Sequence, residues 1–157
     1  GCADGRIGKK MIHTGDTGTQ WGIGKEELME RISESAKATA DHFGDHIAYI
    51  NVLRNMSVSC DCEGTAAQPV VTPNIGILAS TDILAADQAS VDLVYALPEK
   101  YRHDLVERME TRHGLRQLSY MKELGMGCDR YVILDMDHGN KPITLAEAVK
   151  NVKPFKA

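Results

Sequence analysis

Two short apolar runs, Ile47 to Leu53 (IAYINVL) and Ile75 to Ala79 (IGILA), constrain this chain more than any other feature. Each is nearly unbroken and rich in branched aliphatic side chains. That is the pattern of a strand covered on both faces, not of one alternating between core and water. A third run, Tyr131 to Leu134, has the same character. The stretches between them carry a helical period. From Lys25 onward, Leu28, Ile32, Ala36, Ala40 and Phe43 fall on one stripe, Glu and Lys occupy the other faces, and Gly44 supplies a stop. After the second run, Ser80-Thr81-Asp82 can cap a helix whose inward face is Ile83, Ala86, Ser90, Leu93 and Leu97, ended by Pro98. A further helical stretch through Leu105 and Met109 breaks near Gly114. Leu115, Leu118, Met121 and Leu124 then resume the spacing until Gly125. Residues 144–152 read as a short helix and 153–157 as a frayed tail. Strands alternating with helices predict a layered α/β fold, a sheet of mostly parallel strands flanked by helices.

A chain of 157 residues, 43% hydrophobic and 25% charged, suits a single α/β domain spanning 1–157. The formal net charge of −4 offers no long-range attraction to nucleic acid, and the basic residues are scattered, with Lys9-Lys10 the densest pair before the tail. No apolar run is long enough to span a bilayer, so no membrane partner is expected. Gly1-Cys2-Ala3-Asp4-Gly5-Arg6 lacks the apolar centre of a signal peptide and an initiator Met. Four cysteines do not make a disulfide scaffold in a chain of this size, and Cys60 and Cys62 are too close for an ordinary bridge. A reducing, cytoplasmic setting is the simplest expectation.

The connection between Leu53 and Ile75 is out of proportion. It runs for about twenty residues without clear periodicity, where about 4–6 are usual. It holds Cys60-Asp61-Cys62, Pro69 and Pro73 but few of the lysines and glutamates of a disordered tract, so an ordered functional loop is expected. Two thiols at i and i+2 face one ion only where the chain bends, because a straight strand points them to opposite sides. As thiolates they suit zinc or iron. A tetrahedral site needs more donors, and His13, Cys2 and Asp61 are the candidates. Two other readings stand beside this one: a redox-active thiol pair, and two small residues packed for volume. Cys128, in Gly-Met-Gly-Cys-Asp, is read as packing. An iron–sulfur cluster would consume all four cysteines, and the dense ferredoxin spacing is missing, so no self-contained cluster is expected.

Asp82 stands where a strand ends and a helix begins, the edge at which open α/β sheets bind ligands. It is also a plain N-cap by type, and that reading is preferred. With Ser80, Thr81 and Asp87 it forms the candidate ligand-binding set. The glycine-rich start, Gly1 to Gly24, invites an anion-cradle reading. Gly18 to Lys25 is no P-loop, however: its glycine spacing is off by one and Glu26 stands where Ser or Thr should bind magnesium. His42, His46, His103, His113 and His138 lie at element ends or on charged faces, where solvated roles are expected.

Four stretches carry a family resemblance: GCADGRIGKKMIHT at 1–14, VSCDC at 58–62, IGILASTDILAADQASVDLV at 75–94 and LGMGCDRYVI at 124–133. Through them the chain resembles the C-terminal part of domain of unknown function 362 proteins, over most of its length up to about Asp135. The resemblance implies an iron–sulfur connection, because many such proteins carry a ferredoxin-type module after the segment matching 1–14. Only Thr14 to Gln20 occupies that place here. Ile83 stands where the family helix usually has Pro. Similar proteins continue upstream of residue 1, which implies an incomplete half of a larger domain, with the N-terminal half of the same protein as a partner.

The leading expectation is therefore a metal-binding or redox-linked α/β domain with Cys60 and Cys62 as thiolates and His13 and Cys2 as further donors for zinc or iron. A small-molecule or anion-binding module without redox chemistry is the alternative. A structural or partner-binding domain, self-associating into a homo-oligomer, is the third. No enzyme class follows from these residues.

Overall fold

The computed structural model describes residues 25–58 and 69–155. Helix α1 (Lys25–Phe43) is followed by strand β1 (Tyr49–Leu53), strand β2 (Gly76–Ser80) and helices α2 (Ile83–Ala96), α3 (Glu99–Thr111) and α4 (Arg116–Glu123). Strand β3 (Ile133–Asp135), a 3-10 turn (Met136–His138), strand β4 (Lys141–Ile143) and helix α5 (Leu145–Val149) complete the described chain. The mixed α/β class is as expected.

The helix limits follow local chemistry. Gly44 ends α1 with a φ of 54°, a left-handed conformation that glycine adopts without a Cβ clash. Asp82 caps α2 as its sequence suggests. Thr144 and Glu147 cap α5 reciprocally, the side chain of each reaching the other's backbone N–H. The break between α3 and α4 falls at Arg112 to Leu115, with His113 at φ 57° and the Gly114 N–H bonded to the Met109 carbonyl.

The sheet does not have the expected direction. β1 and β2 pair antiparallel, Tyr49 opposite Ser80 and Leu53 opposite Gly76, and β3 and β4 form a second antiparallel pair. Among the described residues the expected mostly parallel sheet is thus corrected to two small antiparallel ones. A parallel pair needs a crossover that carries the chain back along the sheet, whereas the link from β1 to β2 rejoins β2 at the end where β1 stopped. Both-face coverage fails too among the described residues, because Ile50, Val52 and Ile77 are exposed. β3 begins two residues later than the apolar run suggests, and β4 carries Pro142, tolerated on an edge strand.

α2 is the centre of the molecule. It contacts both β1 and β2 and the helices α3, α4 and α5. Leu84, Ala86, Ala89, Leu93 and Val94 are buried along it, and Leu97 at its end. α1 lies against α4 instead. Ser33, only 1% exposed, donates to the carbonyls of Met29 and Gln117, and Arg116 of α4 pairs with Glu30. No described helix is long and apolar enough to cross a membrane.

Candidate functional site

The candidate set divides in two. Cys2, His13, Cys60, Asp61 and Cys62 lie outside the described residues, as does the glycine-rich start. Ser80, Thr81, Asp82 and Asp87 lie within them, at the β2–α2 junction and on the first turns of α2.

Asp82 has an extended backbone that turns into the helix, and its Oδ1 accepts from the Ala85 N–H at 2.9 Å. Its Oδ2 accepts from the Cys128 N–H at 2.8 Å. The Asp82 N–H in turn donates to Ser80 Oγ at 2.9 Å. The carboxylate thus caps its own helix and clamps a loop 46 residues downstream. Gly127 makes the clamp possible. At φ 153°, a Cβ on this residue would stand 2.0 Å from Asp82 Oδ1. Thr81 beside it is exposed.

Two further aspartates on α2 do equivalent work. Asp87 Oδ1 accepts from Asn51 Nδ2 at 2.7 Å, and the same amide donates to Ser90 Oγ at 2.9 Å, tying β1 to the helix. Asp92 accepts from Gln88 and from the Tyr131 hydroxyl, which anchors the chain leading into β3. Burial, and then the neighbouring Asp92 carboxylate, hold the Tyr131 phenol protonated well above its ordinary range. Asp82, Asp87 and Asp92 therefore each fix a different segment, and the structure does not gather them around one point. Among the described residues no group of three or more His, Cys, Asp or Glu side chains is placed to hold a metal.

Asn51, Ser90, Gly127 and Tyr131 were missed by sequence reasoning, since their partners lie tens of residues away. Cys128 corrects an expectation: it is exposed, not packed, and its Sγ accepts from the Arg130 N–H at 3.4 Å. The histidines His42, His46, His103, His113 and His138 are exposed, as expected. A hydrogen bond donated to the Asp104 carboxylate raises the His103 pKa, and His138 holds the Asp135 carboxyl below its usual value.

The long connection is closed at its neck. The Ile75 N–H donates to the Leu53 carbonyl at 2.9 Å, and the Asn55 N–H donates to Asn74 Oδ1 at 2.8 Å, with Asn55 at φ 50°. Just inside the neck, Thr72 and Pro73 are fully buried. Val58 and Pro69, flanking the undescribed part, line one cleft of about 530 Å³ together with Val71 and with Asp104, Glu107, Arg108, Thr111 and Arg112 near or on the last turns of α3.

The family model described as domain of unknown function (DUF362) matches residues 1–92, more than half of the chain. The chain belongs to the DUF362 family. No curated protein and no solved structure matches it. The DUF362 match takes in Cys2, His13, the Cys-Asp-Cys segment, the β1–β2 pair and α2 as far as Asp92, so all three anchoring aspartates lie inside it. Gly127 and Cys128, the partners of Asp82, lie beyond it.

Proposed function

We propose that this DUF362 chain is a metal-binding or redox-linked domain whose chemistry resides in the loop carrying Cys60 and Cys62. The closed neck of that loop carries the reading. Two hydrogen bonds and the buried Thr72-Pro73 pair bring the loop's ends together, so ten intervening residues start and finish at one cleft. A loop held this way orders its contents at a lower entropic cost than a free linker does. In this reading the thiolates of Cys60 and Cys62 supply the core of the site, with His13 and Cys2 as further donors. Thiolate and imidazole donors suit zinc or iron, and the missing ferredoxin module argues against a cluster held by this chain alone. Asp82 and Ser80 serve by positioning, since both Asp82 oxygens are engaged by backbone N–H groups. A cytoplasmic setting belongs to the same reading, because free thiols persist there.

Elemental analysis of protein purified without oxygen tests it. Zinc or iron near one equivalent is expected, lost in a Cys60→Ser/Cys62→Ser double variant that keeps its helical circular dichroism. Metal at background in the parent protein, with both thiols fully reactive to an alkylating reagent and no disulfide after oxidation, would sink the idea.

A second reading, partner binding, is favoured by the exposed apolar face of the β1–β2 pair. It predicts a domain whose cysteine variants behave like the parent.

A further inference from the structure

The buried apolar side chains of the described residues come from β1, from α2 and its end, and from α4, and α1 contributes none. Leu28, Ile32, Ala36 and Ala40 are only partly buried, and Phe43 is 48% exposed. Among the described side chains of α1, Ser33 alone is buried.

What seats α1 on α4 is mainly polar. Glu26, Glu30 and Glu34 recur every four residues along one edge of α1, and each meets a different donor. His113 Nδ1, just ahead of α4, lies 3.2 Å from Glu26 Oε1. Arg116 Nε donates to Glu30 Oε1 at 2.7 Å, and the Tyr120 hydroxyl donates to Glu34 Oε1 at 3.0 Å. The partners rise in number together, so the two helices run side by side in the same direction as a ladder. Gln117 adds two bonds between the rungs, its amide donating to Met29 Sδ and its carbonyl accepting from Ser33. The rungs are open to water: Glu30 and Arg116 are 30% and 25% exposed, Glu26 and His113 65% and 46%. Charge pairs this exposed are individually weak and screened by salt, whereas the core around α2 rests on apolar burial.

The second half of α1 is bonded only to itself. Among the described residues, the side-chain bonds of residues 35–43, Lys37 to Asp41 and Thr39 to the Ser35 carbonyl, stay inside the helix. Gly44, at φ 54°, and the exposed Asp45 and His46 form the joint to β1.

We propose that α1 is a strap. It lifts from α4 as one unit, hinged at Gly44 to His46, while β1, β2 and α2 stay folded, and ionic strength sets how often it does so. The pairs Glu27–Arg31 and Lys37–Asp41 lie within the helix and move with it. Lifting turns the donor row of His113, Arg116 and Tyr120 to solvent. The proposal needs no metal and stands apart from the cysteine loop.

Native-state hydrogen exchange on the full chain tests it. A helix without packing is marginal in water, so amides of α1 exchange whenever the strap lifts. Amides of residues 29–40 should share one protection level, at least about tenfold below that of α2. Raising sodium chloride from about 0.05 M to about 1 M should lower that level at least about threefold relative to α2. Glu26→Gln/Glu30→Gln/Glu34→Gln should show the lowered level already at low salt and lose most of the salt response, with α2 unchanged. Exchange of α1 and α2 at one common level overturns the proposal, since the helix then belongs to the cooperative core. So does an α1 level that salt leaves unchanged, a triple variant that protects α1 like the parent, or one that fails to fold.

Discussion

At the scale of single residues, Asp82 carries more structure than any neighbour. Replacing it with Ala removes the cap of α2 and strands the Cys128 N–H. A cap is worth about 1 kcal/mol and an orphaned amide about 1–3 where it is shielded from water. Cys128 is exposed, so the lower end applies to the second term, and a loss of about 1–2 kcal/mol in urea unfolding is expected. Asp82→Asn keeps one acceptor and should fall between Asp82→Ala and the parent. Gly127→Ala tests the clamp from the other side. Its Cβ would collide with Asp82 Oδ1, whereas Gly125, also at positive φ, has nothing within 4 Å. Gly127→Ala should therefore lower the midpoint more than Gly125→Ala does. Equal effects would mean that backbone strain alone matters and the clamp does not.

At the scale of elements, two contacts make distinct predictions. Ser33 sits at the α1–α4 crossing with no spare room, its hydroxyl between two carbonyls. Ser33→Leu should destabilise by about 1–3 kcal/mol through overpacking, and Ser33→Ala by less, as thermal unfolding would show. The α5 cap predicts a pH dependence. Hydrogen bonds from the Thr144 backbone N–H, and then from its side chain, hold the Glu147 carboxyl below its ordinary value. A depressed carboxyl contributes stability above its unfolded pKa, and that contribution is lost as pH falls through the folded pKa. The Tm gap between parent and Glu147→Gln should be present near neutrality and close at acidic pH. A gap that stays constant with pH would show that the carboxylate charge is immaterial. Glu147 is fully exposed to solvent, so the gap will be small.

At the scale of the whole molecule, one helix organises the rest. Leu84 and Leu93 of α2 are at 0% and 2% exposure, and α2 meets both strands of the first sheet and three helices. Leu93→Ala should cost about 2–5 kcal/mol, and it should speed amide exchange in β1 and β2 as well as in α2. A loss confined to α2 would contradict that central role. Much of this plan was determined by the sequence alone. The limits of α1, the Ser-Thr-Asp start of α2 and the break near Gly114 are short-range matters of periodicity, glycine and side-chain oxygens near free N–H groups. The tertiary structure decided the rest. Strand direction depends on where the chain returns after a long connection, and an apolar run has no direction written in it. The seating of α1 on α4 involves Ser33 and Glu30 finding partners 84 and 86 residues away, which the period of the helix does not specify. The second oxygen of Asp82 found Cys128 in the same way. Such pairings pit ring closure over a long chain against a few hydrogen bonds, a balance that no local pattern encodes.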